Sequence, residues 1–418
     1  MGRMIQWTDC KDLIKTLSEE RLMKVEIIRH KTGDLLPLLF DDDNLPIPAP
    51  NEFIISRRAL SPNTLVRNLR ELTILYRWLK QEKIDLESRI LSKKAFTEAE
   101  IKGGLVEFLR RDQENRHSVK KLTVKPNTFN QRLTSIRQYL AWYFDITIGS
   151  LPSDSQVFDQ LRENKNRLLK LLESSFINAP PTNRSMRKGL NANEIEYLMS
   201  ILEPTNQYGF SRDPAVRYRN YVLTMIMLYY GLRPGELLSL KVEDIEIGAI
   251  SCIRVVRRKP DPTDTRKSRP EIKRNGRVLP IDDPSFAKNL DIYITKWRDV
   301  LEDKADKESD YLILSHDGNP LSQSSITQLY QLIRRKYPSE LPSNLTAKAL
   351  RHSFSSQMER TLRVSGMDED KRKQALAYLR GDSSLSSQEV YIAQEIEEQA
   401  NIALKKYQQN LITEDVPW

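Results

Sequence analysis

The chain has 418 residues, 39% hydrophobic and 29% charged, a balance that excludes a disordered polypeptide and gives room for two or three domains. Its 66 Lys and Arg against 57 Asp and Glu leave a net charge of +9, which points to a polyanionic partner. Two cysteines (Cys10 and Cys252) exclude a disulfide framework, and four scattered histidines exclude a zinc cluster. The longest mainly apolar run, Tyr221 to Leu232, is well short of the ~20 residues of a membrane span. With no signal-peptide pattern at the start, the expectation is a cytoplasmic protein that uses no metal, no cofactor and no membrane.

Residues 1–55 read as short strands and extended chain. Met23–Ile28 alternates into a turn at Lys31–Asp34, Leu35–Phe40 follows, and Pro46, Pro48 and Pro50 space an extended segment. Residues 56–178 carry helical periodicity. Leu65, Leu69, Leu72, Tyr76 and Leu79 share one helix face, and Phe129, Leu133, Ile136, Leu140 and Tyr143 share another. Ile101–Arg110 and Gln156–Leu172 complete a helical bundle, whose stripes are core. Any contact to DNA would come from basic residues off the stripes, such as Arg132 and Arg137. Residues 179–189, with two prolines and no apolar period, read as a linker. A helix then opens at Asn191, with Glu194 placed to close a capping box, and residues 190–418 form the second domain.

Within that domain, Tyr221–Leu232 is apolar nearly all round and predicts a buried helix. Gly231-Leu-Arg-Pro-Gly-Glu-Leu-Leu follows, where Pro234 starts a new helix and holds Arg233 out of the helical region. That fixes a permanent cation at a corner between two buried helices, unless Arg233 only pairs with Glu236. Ser251–Val256 is a strand pattern, and Asn275-Gly276 inside Ile272–Ile281 predicts a hairpin with Lys273 near its tip. From Arg257 to Arg277 there are nine Lys or Arg against three acids, a composition suited to phosphates, with Arg257, Arg258 and Lys259 leading it. Arg351 opens a later helix and Tyr391 stands forty residues beyond it. Two arginine forks can hold the non-bridging oxygens of a dianionic five-coordinate phosphorus. A lysine can protonate a leaving sugar oxygen, and a tyrosine can attack as nucleophile.

In order and wording these pieces resemble the tyrosine recombinase (phage integrase) family. The carriers are Gly231-Leu-Arg-Pro-Gly-Glu-Leu-Leu-Ser-Leu240 with Val242–Ile245, Lys273 before Arg277-Val-Leu-Pro-Ile281, Leu350-Arg-His-Ser-Phe354, and the block ending at Tyr391. The resemblance implies a mainly α fold with a small β-sheet: a helical core-binding domain and an α/β catalytic domain. It implies a site-specific DNA recombinase acting through a 3′-phosphotyrosine, with Arg233, Lys273, Lys348, Arg351 and Tyr391 catalytic and Glu236 orienting Arg233. Its partners would be double-stranded DNA, further copies of the chain in a tetramer on two DNA sites, and accessory recombination proteins. Alternatives are a topoisomerase-like or resolvase activity, or a DNA-binding assembly protein of the same fold with weakened chemistry. Two positions depart from the family pattern. Lys348 stands where histidine is usual, three residues before Arg351. Asp382 stands where histidine or tryptophan is usual, nine before Tyr391, and the expectation is that it pairs with Lys348 or Arg380, or caps a helix. Tyr378 and Tyr407 are rival nucleophiles on residue type alone. The terminal helix from Glu395 docks either on its own domain or on a neighbouring protomer.

Overall fold

The computed structural model describes residues 23–111, 123–152, 156–178, 189–206, 209–266, 269–270, 272, 276–382 and 390–412. The chain divides into two compact units, Met1–Thr182 and Asn183–Trp418. Among the described residues no helix is long and apolar enough to cross a membrane.

The first described elements of the first unit are an antiparallel pair, β1 (Lys24–Arg29) and β2 (Leu35–Phe40), in the register Lys24↔Phe40 to Arg29↔Leu35. The proline-spaced segment is a helix, α1 (Pro48–Ser56), where an extended chain was expected. Pro48 sits at the first helical position, where its missing N–H has no intrahelical partner to lose. Two helices carry the predicted stripes, α2 (Pro62–Gln81, capped by Ser61) and α5 (Pro126–Gly149). Between them lie α3 (Leu86–Leu91) and a π-helical stretch, Ala99–Val106, that continues as α4 (Glu107–Arg110). The unit closes with α6 (Gln156–Glu173). Leu39 of β2 and Phe53 and Ile54 of α1 share one core with Leu69, Leu72, Leu133 and Ile136. The strand pair and α1 are therefore part of the bundle, with no boundary at residue 55.

The second unit begins with α7 (Ala192–Leu202), where Asn191 and Glu194 form the expected capping box. The buried helix is α8 (Pro214–Tyr230), with Asp213 accepting from the N–H of Ala215 and every residue from Asn220 to Tyr230 buried. Burying one such apolar side chain contributes about 1.5–3 kcal/mol, which is why this helix anchors the core. Then come α9 (Pro234–Ser239) and a three-stranded antiparallel sheet, β3 (Ile245–Glu246), β4 (Cys252–Val255) and β5 (Arg277–Pro280), in that order. In the register Cys252↔Pro280 to Val255↔Arg277, β5 pairs with β4 across the long connection 256–276. Asn275, the first residue of the expected turn, lies outside the described residues. Helix α10 (Pro284–Ile292) runs through a π-helical turn, Tyr293–Trp297, into α11 (Arg298–Glu302). The unit ends with α12 (Gln323–Lys336), α13 (Ala347–Val364), α14 (Glu369–Arg380) and α15 (Val390–Ile412). Helix α15 packs on its own domain: Ala400, Ala403, Leu404 and Tyr407 are buried, and the Tyr407 hydroxyl donates to Leu228 O at 3.0 Å.

Candidate active site

Four segments far apart in sequence meet around one carboxylate. Glu236, in the first turn of α9, is 1% exposed. Its Oε2 accepts from the backbone N–H of Arg233 at 2.9 Å, and its Oε1 accepts from Arg233 Nη1 at 3.1 Å. Arg233 itself has φ −68° and ψ 149°, the extended conformation that the following proline imposes. On the other side of Glu236, Arg277 of β5 donates through Nη1 at 3.3 Å and Nη2 at 3.2 Å, and its Nε reaches Leu379 O at 2.9 Å. A two-oxygen carboxylate thus holds two guanidiniums at once, in the bidentate manner that suits arginine and not lysine.

Arg351 enters from α13, where Thr346 caps the helix by accepting from Ala349 N–H. Its Nη1 donates to Gly231 O at 2.5 Å and lies 3.9 Å from Glu236 Oε2. Burial, then the nearby charges of Arg233 and Arg380, lowers the pKa of Arg351 from 12.5 to about 10, so it remains a cation at neutral pH. The fourth segment is the C-terminus of α14. Arg380 O accepts from Arg233 Nη1 at 3.2 Å and Arg351 Nη2 at 3.0 Å, and Gly381 O accepts from Arg233 Nη1 at 3.0 Å. Gly381 (φ +60°) ends the helix in the left-handed region, and a Cβ there would lie 2.4 Å from Arg277 Nη1. The turn aims the next residue, Asp382, back at the arginines. Its Oδ1 accepts from Arg351 Nη2 at 3.0 Å and from Arg233 Nη2, and its Oδ2 lies 3.0 Å from Arg380 Nε.

The structure therefore brings Arg233, Arg351, Glu236 and Asp382 together and adds Arg277, whose part sequence reasoning missed. The signal for it was weak: a lone charge on the inward face of an alternating strand. Asp382 has Arg380 as a partner, one of the two expected, together with the two site arginines. Lys348 stands exposed in the first turn of α13 and makes no ion pair with Asp382. Lys273 lies outside the described residues. Tyr391 is in the first turn of α15, and its side chain lies outside what the structure describes. Both rival tyrosines are engaged elsewhere. The Tyr378 hydroxyl donates to Glu397 Oε1 at 2.5 Å, and burial followed by that carboxylate raises its pKa. Burial does the same to Tyr407, whose single hydroxyl proton is shared between Leu228 O and Gln357 Oε1, the latter at 2.9 Å. A neutral phenol held this way is a poor nucleophile.

The basic stretch proves to be of two kinds. Arg257 and Lys259 are exposed and have no acidic partner among the described residues, whereas Arg258 is held by Asp244 (Nη1 to Oδ2, 2.9 Å) and Glu243 (2.8 Å). Arg266 is core, although nine basic residues against three acids between Arg257 and Arg277 read as a segment too polar for core and suited to phosphates. It pairs fork to fork with buried Asp264 (Nε to Oδ1 and Nη2 to Oδ2, both 2.9 Å), and its Nη1 donates to Leu238 O and Leu321 O. Arg269 is buried as well. In the first unit, Arg132 donates to Leu109 O at 2.8 Å and Arg111 O at 2.9 Å, and Arg137 pairs with Glu173 at 3.3 Å. Arg132 thus ties down the end of α4, a role that its place off the apolar stripe does not reveal.

A profile described as the phage integrase family matches residues 188–395, which span every segment of this cluster. The chain belongs to the phage integrase family. Relatives include the tyrosine recombinase XerA of Thermococcus kodakarensis, 26% identical over 285 residues, or 64% of this chain and 84% of that one. Another is XerC of Bacillus licheniformis, 24% identical over 228 residues, or 54% of this chain and 64% of that one. Among solved structures, the Tn1549 transposon integrase in complex with transposon right end DNA is similar over 86% of this chain and 98% of its own, at 18% identity and a TM-score of 0.47. The XerH recombinase bound to difH substrate is similar over 90% and 99%, at 18% identity and a TM-score of 0.38.

Proposed function

We propose that this phage integrase family chain is a site-specific DNA recombinase that cuts and rejoins double-stranded DNA through a covalent 3′-phosphotyrosine. One observation carries the reading: the Nη2 atoms of Arg233 and Arg351, from separate helices, converge on a single anionic oxygen. Two forks focused on one oxygen suit a phosphorus centre whose non-bridging oxygens gain charge as it becomes five-coordinate. Tyr391 gives its phenolic proton to water as its Oη attacks phosphorus, the bond from phosphorus to the 5′ oxygen breaks, and Lys273 supplies the proton that makes that oxygen a hydroxyl. Lys348 adds a cation near the phosphate from the first turn of α13. Glu236, clamped between Arg233 and Arg277, keeps the first fork in register. Attack by a 5′-hydroxyl from another strand reverses the step and rejoins the DNA. The phosphodiester energy stays in the tyrosyl ester, so ATP is not consumed.

The exposed Arg257 and Lys259 are offered to the DNA backbone, and the enzyme acts in the cytoplasm as a tetramer across two DNA sites, with accessory recombination proteins as further partners. Nicked suicide substrates test the reading. The wild type should accumulate protein covalently joined to a 3′ end, and Tyr391→Phe should lose that adduct while binding DNA as before. An adduct persisting at normal level in Tyr391→Phe means another nucleophile, and a wild type with none on any cognate site removes the recombinase assignment.

A further inference from the structure

The oxygen on which the two arginines converge belongs to Asp382, a residue of the protein itself. Four guanidiniums (Arg233, Arg277, Arg351, Arg380) surround two carboxylates (Glu236, Asp382), and the two carboxylates differ. Glu236 is buried beneath the cluster and bound to the backbone of Arg233, so it is a fixed part of the floor. Asp382 is 32% exposed, lies just past a left-handed glycine, and accepts from no backbone N–H among the described residues. It is therefore not spent on capping a described helix, and among the described residues its carboxylate meets only cations. A carboxylate and a phosphodiester each carry one negative charge over two equivalent oxygens, so either can close the same pair of forks.

We infer that the Asp382 carboxylate is an internal stand-in for a phosphodiester: it holds Arg233 and Arg351 aligned and charge-balanced in the free protein and must leave the pair before a phosphate can enter. This rests on the recombinase reading for the identity of the phosphate, but not for the exchange itself. Withdrawing Asp382 without a replacement leaves four cations around a single buried acid. Exchange is therefore favoured only when another anion arrives as the carboxylate swings out. Asp382 is on this account a positioning residue that also competes with substrate.

The test uses the full chain and inorganic phosphate, so it does not depend on cleavage. In chloride buffer Asp382→Asn should melt below the wild type, because the arginines repel one another. Replacing chloride by phosphate at equal ionic strength should restore its melting temperature while moving the wild type little. The apparent phosphate affinity of the variant should be at least tenfold tighter, and adding Arg233→Ala to Asp382→Asn should abolish the response. A helix cap predicts none of this, since Asn caps as well as Asp. Equal phosphate responses in wild type and variant overturn the inference, as does a response that survives loss of Arg233. If Asp382→Asn does not fold in chloride, refolding in phosphate is the readout, and failure to recover it there also counts against exchange. Suicide-substrate adducts of the wild type are scored in parallel. Their absence alongside the expected phosphate behaviour discards the recombinase reading and keeps the exchange, and the opposite pattern does the reverse.

Discussion

Arg351 and Arg266 are buried arginines of the same unit, and their guanidiniums end in opposite situations. Arg266 meets Asp264 fork to fork and gives its remaining Nη1 to two backbone carbonyls, so the side chain is used up by the fold. Arg351 shares one carboxylate oxygen with Arg233 and shares Arg380 O with it as well, so the two forks converge on a common point at the edge of the core. A fully buried carboxylate, met fork to fork by Arg266 and by the Tyr311 hydroxyl at 3.3 Å, turns its arginine into a clasp for the connection 256–276, whereas a shared, partly exposed one leaves a place that another anion can take. Burial alone does not tell the two apart. What separates them is the acid each one meets, sealed in the core for Arg266 and partly open to solvent for Arg351.

Removing the acid from each group is the strongest way to probe that difference. Glu236→Ala leaves Arg277 buried without a counter-charge and lets Arg233 drift, and breaking such a buried pair costs about 3–5 kcal/mol. Asp264→Ala should lower stability by a similar amount, read by urea unfolding. The two should diverge in chemistry. At a temperature where both are folded, Glu236→Ala loses suicide-substrate adduct and Asp264→Ala keeps it. If both lose it equally, the clasp is part of the catalytic apparatus and the division fails.

A smaller effect probes how closely the convergent group is packed. Gly381→Ala combines a backbone at φ +60° with a Cβ 2.4 Å from Arg277 Nη1. Gly366, also at positive φ (+79°), would meet nothing within 4 Å. Gly366→Ala should therefore cost only the left-handed strain, about 1–2 kcal/mol. Gly381→Ala should cost more and slow adduct formation, because Arg277 can yield only by loosening Glu236. Equal losses of stability with unchanged adduct would mean that Arg277 shifts without passing the strain to the site.

How much of this was legible in the sequence follows from the range of the forces involved. The corner at Arg233 could be read because Gly231 and Pro234 fix the backbone locally, and the α8 stripe because its apolar residues recur all round the helix. The α1 helix was misread because prolines that start a helix and prolines that space an extended chain look the same without their partners. Arg266 was misread for a related reason. Asp264 is only two residues away, but the carbonyls of Leu238 and Leu321 that make the burial possible come from distant segments. Arg277 was quoted as part of a motif without its role, since the bond that defines it, to Glu236, joins positions that only the fold brings together. Asp382 stood out as an odd residue at a known register with Arg380 two positions away as an expected partner, but Arg233 and Arg351 reach it from distant segments.

The least drastic comparison lies within three consecutive residues. Arg258 is engaged by Asp244 and Glu243, while its neighbours Arg257 and Lys259 project from the same connection with no acid among the described residues to hold them. Counterion release makes the logarithm of DNA affinity fall linearly with the logarithm of salt, by about 0.9 for each phosphate neutralised. Arg257→Gln with Lys259→Gln should flatten that slope by about 1.8 if each neighbour covers one phosphate. Arg258→Gln should change it by clearly less than one such step, because that charge is already balanced inside the protein, and should instead show as lost stability where Asp244 is left without its partner. Fluorescence anisotropy against duplex DNA over a salt series measures both. A slope that falls as much for Arg258→Gln as for either neighbour would mean that DNA draws the arginine off its acids, so that this pair too is exchangeable. An unchanged slope in the double variant would turn the connection towards solvent or a protein partner and leave the convergent arginines as the main phosphate contact of the unit.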